Sequence, residues 1–220
     1  MSREDELSDL VRHLMSVREQ EKARVARELH DEMGSSLTAV NMDLMSVRQR
    51  LGEDSPQAER LKRATVTLKS TVEGMRRIIE ELRPSMLESL GLREAICSWA
   101  KDYAERSKAP LTCDIAEELP PLPSGSPIGL FRIAQEAVGN AFQHAGAGAI
   151  RLTLRAEGSN VVLEVVDDGV GIVPSPAGAK PTHGLLGIRE QAMAMGGTSV
   201  VGSGPDGLGT QVRVTVPAAK

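Results

Sequence analysis

Between Leu7 and Leu51 the chain has no proline and one glycine, Gly34. In that span Leu29, Met33, Leu37, Val40, Leu44, Val47 and Leu51 recur at steps of four, four, three, four, three and four. Such spacing puts an apolar stripe on one side of a helix, close to the heptad period. A similar stripe begins upstream at Leu7, Leu10, Leu14 and Val17. The segment GEDSP at 52–56 stops the helix, and a second stripe follows through Leu61, Thr65, Leu68, Val72, Met75, Ile79 and Leu82. Two such helices make a hairpin. One hairpin cannot enclose both seams, whereas two hairpins close a four-helix bundle. A homodimer through residues 7–82 is therefore expected. The alternative is a monomer whose hairpin packs on its own C-terminal half.

The pattern changes after ELRPSMLESLGL. LREAICSWAKDYAERSKA reads as a shorter amphipathic helix with Trp99 half buried, and PLTCDIAEELPPLP as a strand and a proline-rich loop. IGLFRIAQEAVGNAFQHA, 128–145, is again helical. AIRLTLRAEG and NVVLEVVDDG alternate as strands around Gly158, and TSVVGSG and GTQVRVTVP do so around a glycine turn, with GLLGIREQAMAMGG a helix before them. The expected fold class is α+β in two domains. Residues 1–91 form the dimerising hairpin and residues 92–220 an α/β sandwich of antiparallel strands with helices on one face.

Hydrophobic residues are 40% of the 220 but aromatics only 2%, so the core must be aliphatic. The net charge of −4 lacks the basic field of a nucleic-acid binder. Cys97 and Cys113 form no metal-ligand pattern and read as buried, reduced thiols. No apolar run approaches the roughly 18 residues that span a bilayer, and MSREDELSDL is not a signal peptide. A cytoplasmic chain with no membrane segment of its own is expected, any such segment lying upstream.

VVDDGVGI, 165–172, sets a strand end, two carboxylates and two spaced glycines in a row. Gly169 and Gly171 permit close backbone approach to a flat ligand, and a strand-end carboxylate can accept from an exocyclic amine. A plain Asp-Gly turn has the same signature, and Asp168 is read as a turn residue. Walker A and dinucleotide fingerprints are absent. Upstream, Glu136 and Asn140 lie four apart on one helical face, an oxygen pair suited to Mg2+. Downstream, Gly184, Gly187 and GLGT at 207–210 can bring backbone N–H groups to phosphate oxygens.

Residues 131–145, 167–171, 184–187 and 207–210 resemble the N box and glycine boxes of the ATPases that include histidine kinases and gyrase. ARELHDEMGSSLTAV and ELRPSMLESLGL resemble the dimerisation and phosphoacceptor region of two-component sensor kinases of the nitrate-sensor type. The resemblance implies ATP-dependent phosphorylation of His30, with Asp31 as its hydrogen-bond partner or base, and transfer to an aspartate of a response regulator, usually one with a helix-turn-helix output domain. It implies that Glu136 is the acidic N-box residue, Asn140 the Mg2+ ligand and Asp167 the adenine-amine acceptor. His144, Gly169, Gly171, Gly184, Leu185, Gly187, Gly209 and Thr210 would line the ATP, under a lid at 172–187. His144 is equally readable as structural. The other readings are a serine kinase or anti-sigma regulator of the same ATPase group, and a non-catalytic nucleotide-binding scaffold. Two departures stand out. Ser35 occupies a position where many relatives carry glutamine or histidine for dephosphorylating the regulator, so weak phosphatase activity is expected. Gln143 replaces a basic residue before His144, with Lys180 the available substitute. The signal sensed is not encoded in these residues.

Overall fold

The computed structural model describes residues 3–51, 56–107, 110–171 and 183–219. Val17–Ser85 form one compact unit, and Met86–Lys220 form a second together with Met1–Ser16. The lid expected at 172–187, Lys180 included, falls mostly outside the described residues, which resume at His183.

The first unit is helical. Helix α1 (Arg3–Arg50) is 48 residues long and closes with Arg48 and Arg50, cations that complement the partial negative charge of a helix C-terminus. Helix α2 (Pro56–Leu82) starts on a proline whose missing N–H costs nothing there, with Glu59 in its first turn. It ends where the Arg83 N–H still reaches the Ile79 carbonyl at 2.7 Å, one residue before Pro84. Both stripes are only partly covered within one chain. Leu29, Leu37, Leu44, Leu61, Leu68, Val72 and Ile79 are half-buried, whereas Val40 and Val47 are exposed and Met75 is buried.

The second unit is built on a five-stranded sheet ordered β1-β2-β3-β5-β4. A short helix α3 (Ser85–Ser89) leads to helix α4 (Leu92–Ser107) and strand β1 (Leu111–Ile115). Then come helix α5 (Ser126–Gln143), strands β2 (Ile150–Glu157) and β3 (Asn160–Asp167), helix α6 (His183–Ala194), and strands β4 (Thr198–Ser203) and β5 (Thr210–Pro217). Alternation decides the faces. Ile150, Leu152 and Leu154 of β2, Val161, Leu163 and Val165 of β3, and Val212, Val214 and Val216 of β5 join α4, α5 and α6 in one core. On the other face Arg213 bridges Glu164 (2.9 Å) and Glu157 (2.6 Å) across three strands.

Two expectations need correction. The sheet is mixed rather than antiparallel, because β1 pairs parallel with β2, Leu111 opposite Ile150. The segment between them carries α5 across the sheet, and such a crossover returns the chain in the same direction. The thiols are free, but Cys97 is half-buried and Cys113 exposed. Cys113 sits on β1, an edge strand with a neighbour on one side only. The aliphatic core and half-buried Trp99 are as expected. All four aromatic residues gather on α4 and α5, Trp99 stacking at 5.4 Å on Tyr103 and 6.0 Å from Phe131, and Tyr103 meeting Phe142 at 6.2 Å. Among the described residues no helix is long and apolar enough to cross a membrane.

Candidate nucleotide site and phosphoacceptor helix

Strand β3 ends where its alternation has consequences. Val161, Leu163 and Val165 face the core, so Asp167 continues that face and is only 6% exposed. A carboxylate so deep must be satisfied. Its Oδ1 accepts the Gly169 N–H at 2.9 Å and the Thr210 N–H at 3.1 Å. The two donors come from opposite sides, one from the loop after β3 and one from the start of β5. They hold the carboxylate through Oδ1, so Oδ2 could accept a hydrogen bond from a ligand.

The surrounding glycines are forced by contact. A Cβ on Gly209, which sits at φ +64, would run into the Asp167 carbonyl oxygen, and one on Gly169 would run into the Ala145 carbonyl. Gly171, at φ +75, passes within 3.1 Å of the Gly209 carbonyl when a Cβ is added. The Val170 N–H donates to the Ala145 carbonyl at 3.0 Å. The ends of α5, β3 and β5 are thus held together by backbone.

Helix α5 supplies the neighbouring wall. Gly125 at φ 85 starts it and Pro127 follows in its first turn. Its apolar face is Leu130, Phe131, Ile133, Ala134, Ala137, Val138 and Ala141. The face one turn round carries Glu136, exposed, and Asn140, half-buried, joined by Asn140 Nδ2 donating to Glu136 Oε1 at 3.3 Å. Gly184, at the start of α6, approaches this pair so closely that a Cβ would strike Glu136 Oε1 and lie 3.0 Å from Asn140 Nδ2. The structure therefore assembles Glu136, Asn140 and Gly184 as one group, and Asp167, Gly169, Gly171, Gly209 and Thr210 as another. His144 is the exposed C-cap of α5, its N–H donating to the Asn140 carbonyl at 2.9 Å. Leu185 packs against the core, and Gly187 faces open space. Among the described residues no three His, Cys, Asp or Glu side chains cluster as a metal cage. Glu136 and Asn140 could together supply oxygen ligands of the kind Mg2+ takes.

In the helical unit His30 and Asp31 are exposed and Leu29 half-buried, so the imidazole stands beside the seam within reach of solvent. Upstream on the same helix Arg24 pairs with Glu21 and Glu28. Downstream, Ser35 Oγ donates to the Asp31 carbonyl at 2.9 Å.

Residues 21–87 match the family described as histidine kinase, and residues 125–220 match the histidine kinase-, DNA gyrase B- and HSP90-like ATPases. This chain belongs to the histidine kinases. The sensor histidine kinase LiaS of Bacillus subtilis (strain 168) is 30% identical over 92% of this chain and 55% of its own length. The histidine-protein kinase/phosphatase UhpB of Salmonella typhimurium is 30% identical over 94% of this chain and 41% of its own. The chain thus spans about half the length of the curated relatives it matches. The histidine kinase domain of the blue-light activated kinase from Erythrobacter litoralis EL346 superposes with a TM-score of 0.51 at 18% identity, covering 82% of this chain and 95% of that one, a likeness of fold.

One feature beside the candidate site was missed in the sequence. Asp168 is not a free turn residue: its Oδ1 accepts the N–H groups of Gly148 at 2.7 Å and Ala149 at 2.8 Å. Those donors lie 20 and 19 positions upstream, and no local pattern announces them.

Proposed function

We propose that this chain phosphorylates its own His30 from ATP and passes the phosphoryl group to an aspartate of a response regulator. The observation that carries the reading is the buried Asp167 carboxylate. With Oδ1 occupied by two N–H groups, Oδ2 accepts a hydrogen bond but cannot donate one. That chemistry selects the exocyclic amine of adenine over the carbonyl of guanine. Gly169, Gly171, Gly209 and Thr210 shape the cradle around it. Glu136 and Asn140 are the residues that would hold Mg2+, which when bound neutralises charge on the phosphates.

The chain's own residues do the rest. An imidazole nitrogen of His30 attacks the γ-phosphorus; a P–N bond forms as the bond to the ADP oxygen breaks. Asp31, next along the chain, hydrogen-bonds the N–H of the imidazolium formed as the P–N bond is made, or takes that proton to leave a neutral phosphoimidazole. Asparagine at 140 and the glycines about the phosphates orient the triphosphate in line. Exposed Val40 and Val47 on a half-covered seam support a homodimer in which two hairpins close a four-helix bundle. The acceptor partner is a receiver domain, with a helix-turn-helix output domain as in the family it resembles, and the setting is cytoplasmic.

Incubation with γ-labelled ATP and Mg2+ tests the reading. Acid-labile, base-stable label is expected, lost in His30→Gln while ATP binding is retained. Acid-stable label would transfer the reading to a serine kinase, and a chain that binds ATP without taking label would be a scaffold.

A further inference from the structure

Asp167 and Asp168 are neighbours with opposite fates. Strand alternation sends Asp167 to the core face and Asp168 to the exposed side. There Asp168 meets the loop that joins α5 to β2. Its Oδ1 takes both the Gly148 and Ala149 N–H groups, and its own N–H returns to the Ala149 carbonyl at 3.3 Å. Hydrogen bonds to an ionised acceptor are shorter and about twice as strong as neutral ones, and 2.7 and 2.8 Å are at the short end. The same loop holds Ala145. Its carbonyl accepts the Val170 N–H at 3.0 Å and stands where a Cβ on Gly169 would go. Gly169 in turn donates to Asp167 Oδ1 at 2.9 Å. A continuous path therefore runs from the exposed carboxylate, through the loop 145–149, to the group that aims the buried one.

We propose that Asp168 is a positioning residue for nucleotide binding: it clamps the 145–149 loop, which sets Gly169 and so points the free oxygen of Asp167 at the adenine amine. The proposal rests on the ATP reading of the site. Asp168 touches no ligand in this scheme. Its loss loosens the aim of Asp167 without removing any group that meets ATP.

The 220-residue chain is titrated with ATP and with GTP by calorimetry, and autophosphorylation is followed against ATP concentration. Asp168→Ala should weaken ATP binding about tenfold, equivalent to about 1.4 kcal/mol. The ATP-to-GTP preference should narrow, and KM should rise far more than kcat falls. Asp168→Asn keeps an oxygen that accepts both N–H groups and should recover most of the affinity. A general loss of stability would not narrow the base preference or be rescued in this order. If the alanine variant lacks a cooperative melt, Asp168→Ser, whose hydroxyl accepts one of the two N–H groups, is read in its place. ATP binding within about twofold of wild type, with base preference unchanged, would overturn the proposal. Asp167→Ala separates the two levels. If it abolishes ATP binding while Asp168→Ala does not weaken it, only the clamp fails; if Asp167→Ala binds ATP normally, the site reading itself fails.

Discussion

Replacing Gly209 by alanine would strain the backbone contacts around Asp167 that the proposed nucleotide cradle depends on. Gly209 sits at φ +64, where an L-residue with a Cβ loses about 1–2 kcal/mol. The new methyl would also run into the Asp167 carbonyl oxygen and lie 2.5 Å from the carbonyl carbon and 2.9 Å from the Asp168 Cα. All of these are backbone atoms, which cannot rotate away as a side-chain tip can. Relieving such overpacking costs about a further 1–3 kcal/mol. The melting midpoint should fall by about 6–15 °C for a unit of this size. The affinity loss has a separate origin. Residue 210 follows directly, and its N–H is one of the two donors on Asp167 Oδ1. A hydrogen bond to a charged group contributes about 1.5–3 kcal/mol, so displacing it raises the ATP Kd by about 10–100-fold. The control is Gly139→Ala. That glycine lies inside α5 beside Asn140, its Cβ would meet nothing within 4 Å, and the change should stabilise the helix by about 0.5–1 kcal/mol with ATP binding intact. Thermal melts and calorimetric titration of the two variants read both effects. A Gly209→Ala chain that melts within about 2 °C of wild type and binds ATP equally well would show that the backbone contact is not what the cradle depends on.

Three further outcomes follow from named groups. Ser35 Oγ is turned back onto the Asp31 carbonyl at 2.9 Å; the wild-type chain should leave the lifetime of a phosphorylated regulator nearly unchanged, and Ser35→Gln should shorten it. Activity equal to that of glutamine-bearing relatives would contradict this. Hydrogen bonding to Arg213 is the main cause that holds Glu157 below the ordinary carboxylate range; desolvation opposes it, and lesser contributions from the charges of Arg213 and Arg155 add to the lowering. Its folded-state value lies below the unfolded one, so its contribution is full above an unfolded value of about 4.3 and disappears as pH falls through the depressed value. The melting difference between wild type and Glu157→Gln should therefore be present at neutral pH and vanish in acid; a difference that grows in acid would reverse the sign. Burial of its thiol, with Cys97 a lesser cause, pushes Cys113 up to about 11 even though the residue as a whole is exposed. Its alkylation by iodoacetamide should be slow at neutral pH and still rising above pH ~9, where an ordinary thiol has levelled off.

The parts of this molecule that were legible in the sequence are those whose signal is local. A stripe stepping by three and four residues is itself the record of a helical face, and it located α1 and α2 directly. Alternation did the same for β2, β3 and β5, and it carried Asp167 onto the core side because that residue falls two positions after Val165. The direction of β1 was not legible. Its five residues read as a strand in either orientation, and only the landing point of the α5 crossover makes the pair parallel. Cys113 was misjudged for the same reason: burial of a strand residue depends on where its strand lies in the sheet, and β1 lies at the edge.

Within the site, residue type and role separate further. All the glycines of the boxes look alike in sequence, yet a methyl would be blocked by backbone at Gly169 and Gly209 and would find open space at Gly187. The difference lies in what the chain brings alongside: Ala145 from the end of α5 in one case, Asp167 across the β5 start in another. Two adjacent aspartates are equally ambiguous, since either could end a turn. Their proposed roles, one aiming and one clamping, differ because the strand sends successive side chains to opposite faces, and each face meets a different loop. A double replacement therefore discriminates. If the clamp acts only through Asp167, Asp168→Ala should cost nothing further in ATP affinity once Asp167 is alanine, and any additional loss in the double variant would mean that Asp168 meets the nucleotide by a route of its own.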